Sequence, residues 1–433
     1  MSIRVGTRGS ALATTQTGLV ARRIEKLTGQ PVEIVRVRTE GDVRTGSLAQ
    51  MGGTGVFVTA LREALLDGRC DVAVHSLKDL PTGAAEGLTL VTPERENPRD
   101  VLCARDGWTL DTLPRGAKVG TGSPRRAAQL LAVRPDLQVL DIRGNVDTRL
   151  ARALGPDADL DAVVLAYAGL ARLGRLDAVS EIIDVRVMAP APGQGALGVE
   201  VRTADLSPVT SFDLLPDGGT HRPLDLADVV AGLDHLPTRL AVLAERALLA
   251  RLEAGCAAPV GAHAVVEDDE IRLSAVVARL DGTQVVKHRA RVALPAPAGG
   301  AGAGPAGTSG AGRARASDVG RARALAAQGA SEGTAGTWVG AGDSRGAADA
   351  TDALARGLGV QVADALLAGG AAELAPLRAT GPGATGAGAP GPGATGPGAT
   401  TGALWAPGTA PTGAETGPLT ARGTDAPVGP EHR

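Results

Sequence analysis

Two turns in the first 130 residues constrain the fold more than any other feature. Arg4-Val5-Gly6-Thr7-Arg8-Gly9-Ser10 and Lys118-Val119-Gly120-Thr121-Gly122-Ser123 each run from an apolar strand pattern, through Gly-Thr, to a serine before a helical pattern. A second pair repeats the echo: Asp71-Val72-Ala73-Val74-His75 resembles Asp161-Ala162-Val163-Val164-Leu165. Strand patterns at 32–38, 71–75 and 162–166 alternate with helical patterns at 11–27, 59–66 and 169–173. Such alternation predicts an α/β fold with mostly parallel, doubly wound sheets covered on both faces. The echoes predict two similar lobes facing each other across a cleft. At each Gly-Thr turn a strand ends and a helix begins, so backbone N–H groups are unpaired and the helix dipole favours an anion. Serine capping alone explains one such turn. Two of them, each with arginine in or beside it, favour an anion-binding cleft.

The rest of the chain is less uniform. Residues 206–223 read as a loop, and 228–256 as a helical stretch with Leu240, Leu243, Ala247, Leu248 and Leu252 at helical spacing. Residues 270–279 and 283–294 read as a hairpin around Asp281-Gly282, giving a small α+β C-terminal domain. Residues 296–349 are Ala/Gly-rich with little periodicity, whereas 350–376 recover a helical pattern. Residues 380–433 are a Gly/Pro/Ala/Thr tract that buries too little apolar surface to offset chain entropy, and a disordered tail is expected there.

Charge and cysteine content narrow the function. A net charge of −3 over 433 residues gives no global pull toward nucleic acid or a membrane surface, so any cationic site is local. Three widely spaced cysteines, Cys70, Cys103 and Cys256, make neither a disulfide framework nor a zinc pattern. No signal-like N-terminus and no apolar run near the roughly 18 residues of a membrane helix is visible, so a cytoplasmic location is expected.

Three clusters carry chemistry. His75-Ser76-Leu77-Lys78-Asp79-Leu80-Pro81 follows an apolar strand, at the carboxyl end where open α/β sheets bind ligands. Asp79 is its only acid, suited to general acid/base work or to stabilising a developing cation; a surface helix cap is the bland alternative. Arg8, Arg125, Arg126, Arg143 and Arg149 lie at strand ends or in the turns after them, and Arg172 lies early in the helix after 162–166. Guanidinium forks suit carboxylates and phosphates. Adjacent Arg125 and Arg126 repel each other unless an anion or an acid sits between them. Cys256, between Gly255 and small residues, sits where a thiol has room to hold a covalent group, or else is a small buried hydrophobe. Cys70 and Cys103 read as structural.

These stretches resemble the hydroxymethylbilane synthase (porphobilinogen deaminase) family. The residues that carry the resemblance are GTRGSALATTQ (6–16), GVFVTALREALLDG (55–68), DVAVHSLKDLPT (71–82), ENPRDVL (96–102), VGTGSPRRAAQL (119–130), IRGNVDTRL (142–150), APGQGALGVE (191–200) and LEAGCAAPVGA (252–262). The resemblance spans roughly 3–295 and resumes at 350–376. It implies a monomeric cytoplasmic transferase that joins four porphobilinogens head to tail with loss of ammonia and releases hydroxymethylbilane. It implies two lobes of the type II periplasmic-binding-protein kind plus the C-terminal domain. The implied boundaries are 1–94 plus 190–205, 95–189, and 225–295 plus 350–378, with 296–349 an insertion and 379–433 a tail.

The resemblance also implies a dipyrromethane cofactor held by a thioether on Cys256, and a catalytic Asp79. Lys78, Ser123, Arg125, Arg126, Arg143 and Phe57 are implied to contact the cofactor. Arg8, Gln16, Ser76, Arg149, Arg172 and Gln194 are implied to contact substrate. No metal, nucleic acid or membrane is implied. Gln50-Met51-Gly52-Gly53-Thr54-Gly55 departs from the family, where lysines are frequent. The main competing expectation is a two-lobed anion-binding protein without catalysis, which leaves the Cys256 loop without a purpose.

Overall fold

In the computed structural model, the described residues are 2–37, 55–206, 213–214, 220–221, 226–255, 258–295, 345–375 and 377. The expectations for the 296–349 insertion below residue 345, for the tail beyond 379 and for Cys256 itself lie outside the described residues.

The first lobe opens with β1 (Ile3–Thr7), α1 (Ala11–Thr28), β2 (Val32–Arg36), α2 (Gly55–Leu66), β3 (Val72–Ser76) and β4 (Leu88–Val91). The chain then crosses to the second lobe: β5 (Asp100–Ala104), β6 (Lys118–Gly120), α3 (Pro124–Val133), β7 (Gln138–Leu140), α4 (Val146–Leu154), β8 (Ala162–Ala166), α5 (Tyr167–Arg172) and β9 (Glu181–Ile182). It returns to the first lobe as β10 (Leu197–Arg202). The strand orders are β2-β1-β3-β10-β4 and β7-β6-β8-β5-β9. In each sheet the strand that has just crossed between lobes, β10 or β5, runs antiparallel to its neighbours.

The two sequence echoes therefore occupy equivalent places: β1 matches β6, and β3 matches β8. The equivalence reaches single hydrogen bonds. Asp71 N donates to the Arg4 carbonyl and Asp161 N to the Lys118 carbonyl. Each aspartate carboxylate returns a bond to the other backbone, accepting from Arg4 N at 3.0 Å and from Lys118 N at 2.7 Å. The two Gly-Thr glycines have a packing cause. A Cβ at Gly6 would lie 2.8 Å from Cys70 Sγ, and one at Gly120 would lie 2.5 Å from Leu160 Cδ1. Cys70 and Cys103 are buried, as their strand surroundings predicted; burial pushes the Cys103 thiol up to about 12.

A short pair, β11 (Asp213–Leu214) and β12 (Thr220–His221), precedes α6 (Leu226–Leu233) and α7 (Leu236–Arg251). The single helical stretch expected over 228–256 is thus two helices. His235 caps α7 through Nδ1, and Pro237, with no N–H to donate, starts a helix well but cannot sit inside one. The C-terminal domain packs α7 and α8 (Arg345–Ala368) on an antiparallel sheet of β13 (Val260–Glu267), β14 (Glu270–Ala278) and β15 (Val285–Ala293). The hairpin turn at Asp281-Gly282 is as expected. β13 was not foreseen, because small residues such as Gly261, Ala262 and Ala264 weaken its strand signal. The 350–376 helix breaks at Gly370, which takes φ +88°, before α9 (Ala371–Leu374).

Behind the end of β3, Glu200 of β10 accepts from Arg62 of α2 at 2.6–3.1 Å and lies 3.1 Å from His75 Nε2. These partners hold its carboxyl down to about 2 despite burial, against an ordinary 4.5. The folded value lies below the unfolded one, so this stabilisation is complete above about pH 4.5 and is lost as pH falls toward 2. The shift corresponds to roughly 3 kcal/mol. Glu200→Gln is expected to lower stability at pH 7 by about that amount and to flatten the pH dependence between 4.5 and 2. Urea denaturation across that range checks both.

Candidate functional site

β3 ends at Ser76, and residues Leu77–Asp79 form one 3-10 turn that carries Lys78 and Asp79 away from the sheet. The turn is held from several sides. The Ser76 hydroxyl donates to Gln16 Oε1 on α1 at 3.1 Å. Leu77 N donates to the Ala196 carbonyl. Arg246 of α7 donates to the carbonyls of Leu80 at 3.1 Å and Pro81 at 2.5 Å. Leu77 and Leu80 are buried, which leaves the Asp79 carboxylate as the exposed group of a fixed turn.

Facing it is a charge cluster from the second lobe. Asp100, the first residue of β5, is fully buried. Its Oδ2 accepts from Arg125 Nη2 at 2.8 Å, and its Oδ1 accepts from Arg126 Nη2 at 2.8 Å and Nε at 3.1 Å. Gln194 Nε2 adds a bond to Asp100 Oδ1 at 2.7 Å. Gln194 Oε1 is 3.5 Å from Lys78 Nζ, so one side chain spans from the Asp79 turn to the arginine pair.

The acid that adjacent arginines require is Asp100, which the sequence reading did not single out. The signal was present in that requirement, but nothing in the sequence says which of many aspartates meets it. Arg125 and Arg126 are themselves buried, with 4–5% exposure, against an expectation of cleft-lining forks. One carboxylate between two guanidiniums leaves a positive remainder, and Arg125 Nε is buried without a hydrogen-bond partner among the described residues.

The electrostatics bind the cluster together. Burial pushes the Lys78 ammonium down, with Asp79 opposing, Arg126 adding to the effect, Asp100 opposing and Arg125 adding. The Asp100 carboxyl is held far below the ordinary range by Arg125 and Arg126, against the cost of burial. Burial likewise lowers Arg149, with Arg126 and Arg143 repelling it. Lys78, Arg125, Arg126 and Arg149 outnumber Asp79 and Asp100 here, so the cleft suits polycarboxylates.

The remaining residues flank this centre. Arg149 Nε donates to the Gly144 carbonyl at 2.8 Å, and exposed Arg143 pairs with Asp141 at 3.1 Å. Arg172 donates to the Gly195 carbonyl at 2.5 Å; burial lowers its pKa and Glu96 opposes. Arg8 follows β1 at the carboxyl end of the first sheet. The two echoed serines differ: Ser10 accepts from Ala13 N, whereas Ser123 caps α3 with no side-chain bond to the helix. Phe57 lies in the first turn of α2, but its side chain is outside the described residues. Cys256 is not described either. Its flanks are: Ala254 N donates to the Leu249 carbonyl, and Ala258 N to the Gly255 carbonyl at 2.9 Å.

Glu245, also absent from the sequence-level inventory, joins the C-terminal domain to both crossover segments. Fully buried, it accepts from Arg95 at 2.8 and 3.0 Å, from Gly193 N at 2.6 Å and from Ala264 N at 2.7 Å. The helix that precedes Cys256 in the sequence thus grips the segment carrying Gln194 through Glu245 and the Asp79 turn through Arg246.

Residues 3–209 match the family model described as "Porphobilinogen deaminase, dipyromethane cofactor binding domain", and residues 239–299 match "Porphobilinogen deaminase, C-terminal domain". The porphobilinogen deaminase of Micrococcus luteus is 54% identical over 320 residues, covering 68% of this chain and 83% of that protein. That of Thermobifida fusca is 54% identical over 286 residues, covering 66% and 83%. A periplasmic substrate-binding protein of an ABC transporter from Coxiella burnetii is similar at 18% identity with a TM-score of 0.30, covering 56% of this chain and 94% of that one. Among the described residues, no group of three or more His, Cys, Asp and Glu could hold a metal ion, and no helix is long and apolar enough to cross a membrane. With both family models matched in order along the two lobes and the C-terminal domain, the chain belongs to the porphobilinogen deaminase family.

Proposed function

We propose that this chain joins four porphobilinogen molecules head to tail, with loss of ammonia, and releases hydroxymethylbilane. The observation that carries the reading is the Asp79 turn facing the Arg125–Asp100–Arg126 cluster through Gln194. A net-positive cleft with one exposed, fixed carboxylate fits a substrate that carries acetate and propionate side chains and passes through a cation. Asp79 stabilises positive charge developing on a pyrrole nitrogen and moves protons there. Lys78 and Arg149 hold carboxylates, and Arg125 and Arg126, buried against Asp100, supply charge from beneath. Arg8, Arg143, Arg172, Gln16 and Ser76 extend the binding surface, with the Ser123 hydroxyl at the start of α3.

The same donor set fits a dipyrromethane, which is itself a polycarboxylate. Cys256 would attach it and Phe57 would contact it, and when bound it would supply the primer onto which the first substrate is joined. Tethering keeps the growing chain in the cleft, so each later joining is effectively intramolecular. The segments 1–94 plus 190–205, 95–189, and 225–295 plus 350–378 act as three domains, and the protein works as a cytoplasmic monomer.

Intact mass tests the reading. Protein from cells with a working tetrapyrrole pathway is expected to exceed its sequence mass by one dipyrromethane, and Cys256→Ser to lose the excess together with turnover. An unmodified wild-type mass would sink it.

A further inference from the structure

Outside the cleft, the structure holds a second concentration of cations. The inner face of the β13–β15 sheet packs on α7 and α8 through Ile271, Leu273, Val277 and their neighbours. The outer face carries Lys287, Arg289 and Arg291 at alternate positions of β15. On β14, Arg272 lies opposite Arg291, and Ser274 opposite Arg289. Arg186 of the second lobe meets this face, and together they line a groove of about 450 Å³.

Among the described residues, five cations line the groove and no acid does. Three of them have carboxylate partners outside it: Arg186 with Asp184, Arg272 with Glu267, Asp268 and Glu270, and Arg291 with Glu270. Among the described residues, Lys287 Nζ reaches only the Arg186 carbonyl, at 3.4 Å, and Arg289 has no acidic partner. Like charges on one strand face repel, so the row is costly unless an anion answers it. The floor, by contrast, is buried and apolar, with Ala189 and Val276. Alternate residues on one strand are about 7 Å apart, the span of two carboxylates across a small ring.

The groove also shares a wall with the cleft. Gln129 donates to the carbonyls of Ala189 at 3.1 Å and Arg125 at 3.3 Å, and accepts from Ala189 N at 2.8 Å. Arg125 donates to the same Ala189 carbonyl from the other side.

We propose that this groove is a second anion site, taking a compact polycarboxylate with an apolar body, held by Lys287 and Arg289. The proposal does not depend on the reaction assigned to the cleft, because its test reads binding directly. Benzene-1,3,5-tricarboxylate is titrated calorimetrically, at low ionic strength, into the cofactor-loaded full chain, into Lys287→Glu/Arg289→Glu and into Lys287→Gln/Arg289→Gln. Wild type is expected to bind. The charge-reversed pair is expected to lose about tenfold or more in affinity, and the neutral pair less. Both variants should keep kcat/KM within about twofold of wild type, since neither residue faces the cleft and exposed substitutions rarely disturb folding. The proposal is overturned if wild type shows no binding. Equal affinity in all three proteins also overturns it, by placing the anion in the cleft alone.

Discussion

Asp100→Asn is expected to lower stability by about 3–5 kcal/mol and to abolish cofactor loading. The carboxylate is fully buried and accepts from Arg125, Arg126 and Gln194. Asparagine keeps the shape but removes the charge, leaving two adjacent guanidiniums in a buried site with nothing between them. A loss of this size is a large share of the 5–15 kcal/mol that typical domains possess. Denaturant unfolding gives the stability, and intact mass gives the cofactor. A variant that unfolds within about 1 kcal/mol of wild type and still carries the cofactor would remove Asp100 from this role.

Asp79→Ala is expected to behave in the opposite way. Its carboxylate is exposed at the end of a turn whose carbonyls and apolar residues are held by other groups, so stability should change by no more than about 0.5 kcal/mol. Turnover should fall by about 10²–10⁴, the usual contribution of a positioned acid/base group. Asp79→Glu should recover part of the loss if a carboxylate near that place is what matters. Single-turnover consumption of porphobilinogen by cofactor-loaded protein separates the joining step from loading. Turnover within about tenfold of wild type would take the proton-moving role away from Asp79.

These two aspartates mark how far a sequence reaches. Asp79 was legible because its meaning is local: an acid three residues beyond an apolar strand stands at the carboxyl end of a sheet whatever the rest of the chain does. The lobes were legible for the same reason, since Gly6-Thr7 and Gly120-Thr121 repeat a short-range pattern that each lobe satisfies by itself. The break before α7 is also written locally, in His235 and Pro237, but a longer apolar periodicity runs across it and masks it. Asp100 was not legible. It lies 25 residues from Arg125 and 94 from Gln194, and only the folded chain brings them together. Glu245 is a stronger case, with Arg95 150 residues away.

Strand, turn and helix patterns, together with the motif around Cys256, follow from the order of residues along the chain, because side-chain periodicity and cap chemistry act over a few residues. Which acid neutralises which arginine, and which helix holds the Asp79 turn, depends on groups far apart in sequence that share one desolvated site. The cost of burying an unpaired charge selects those partners only once the lobes and the C-terminal domain have folded against each other.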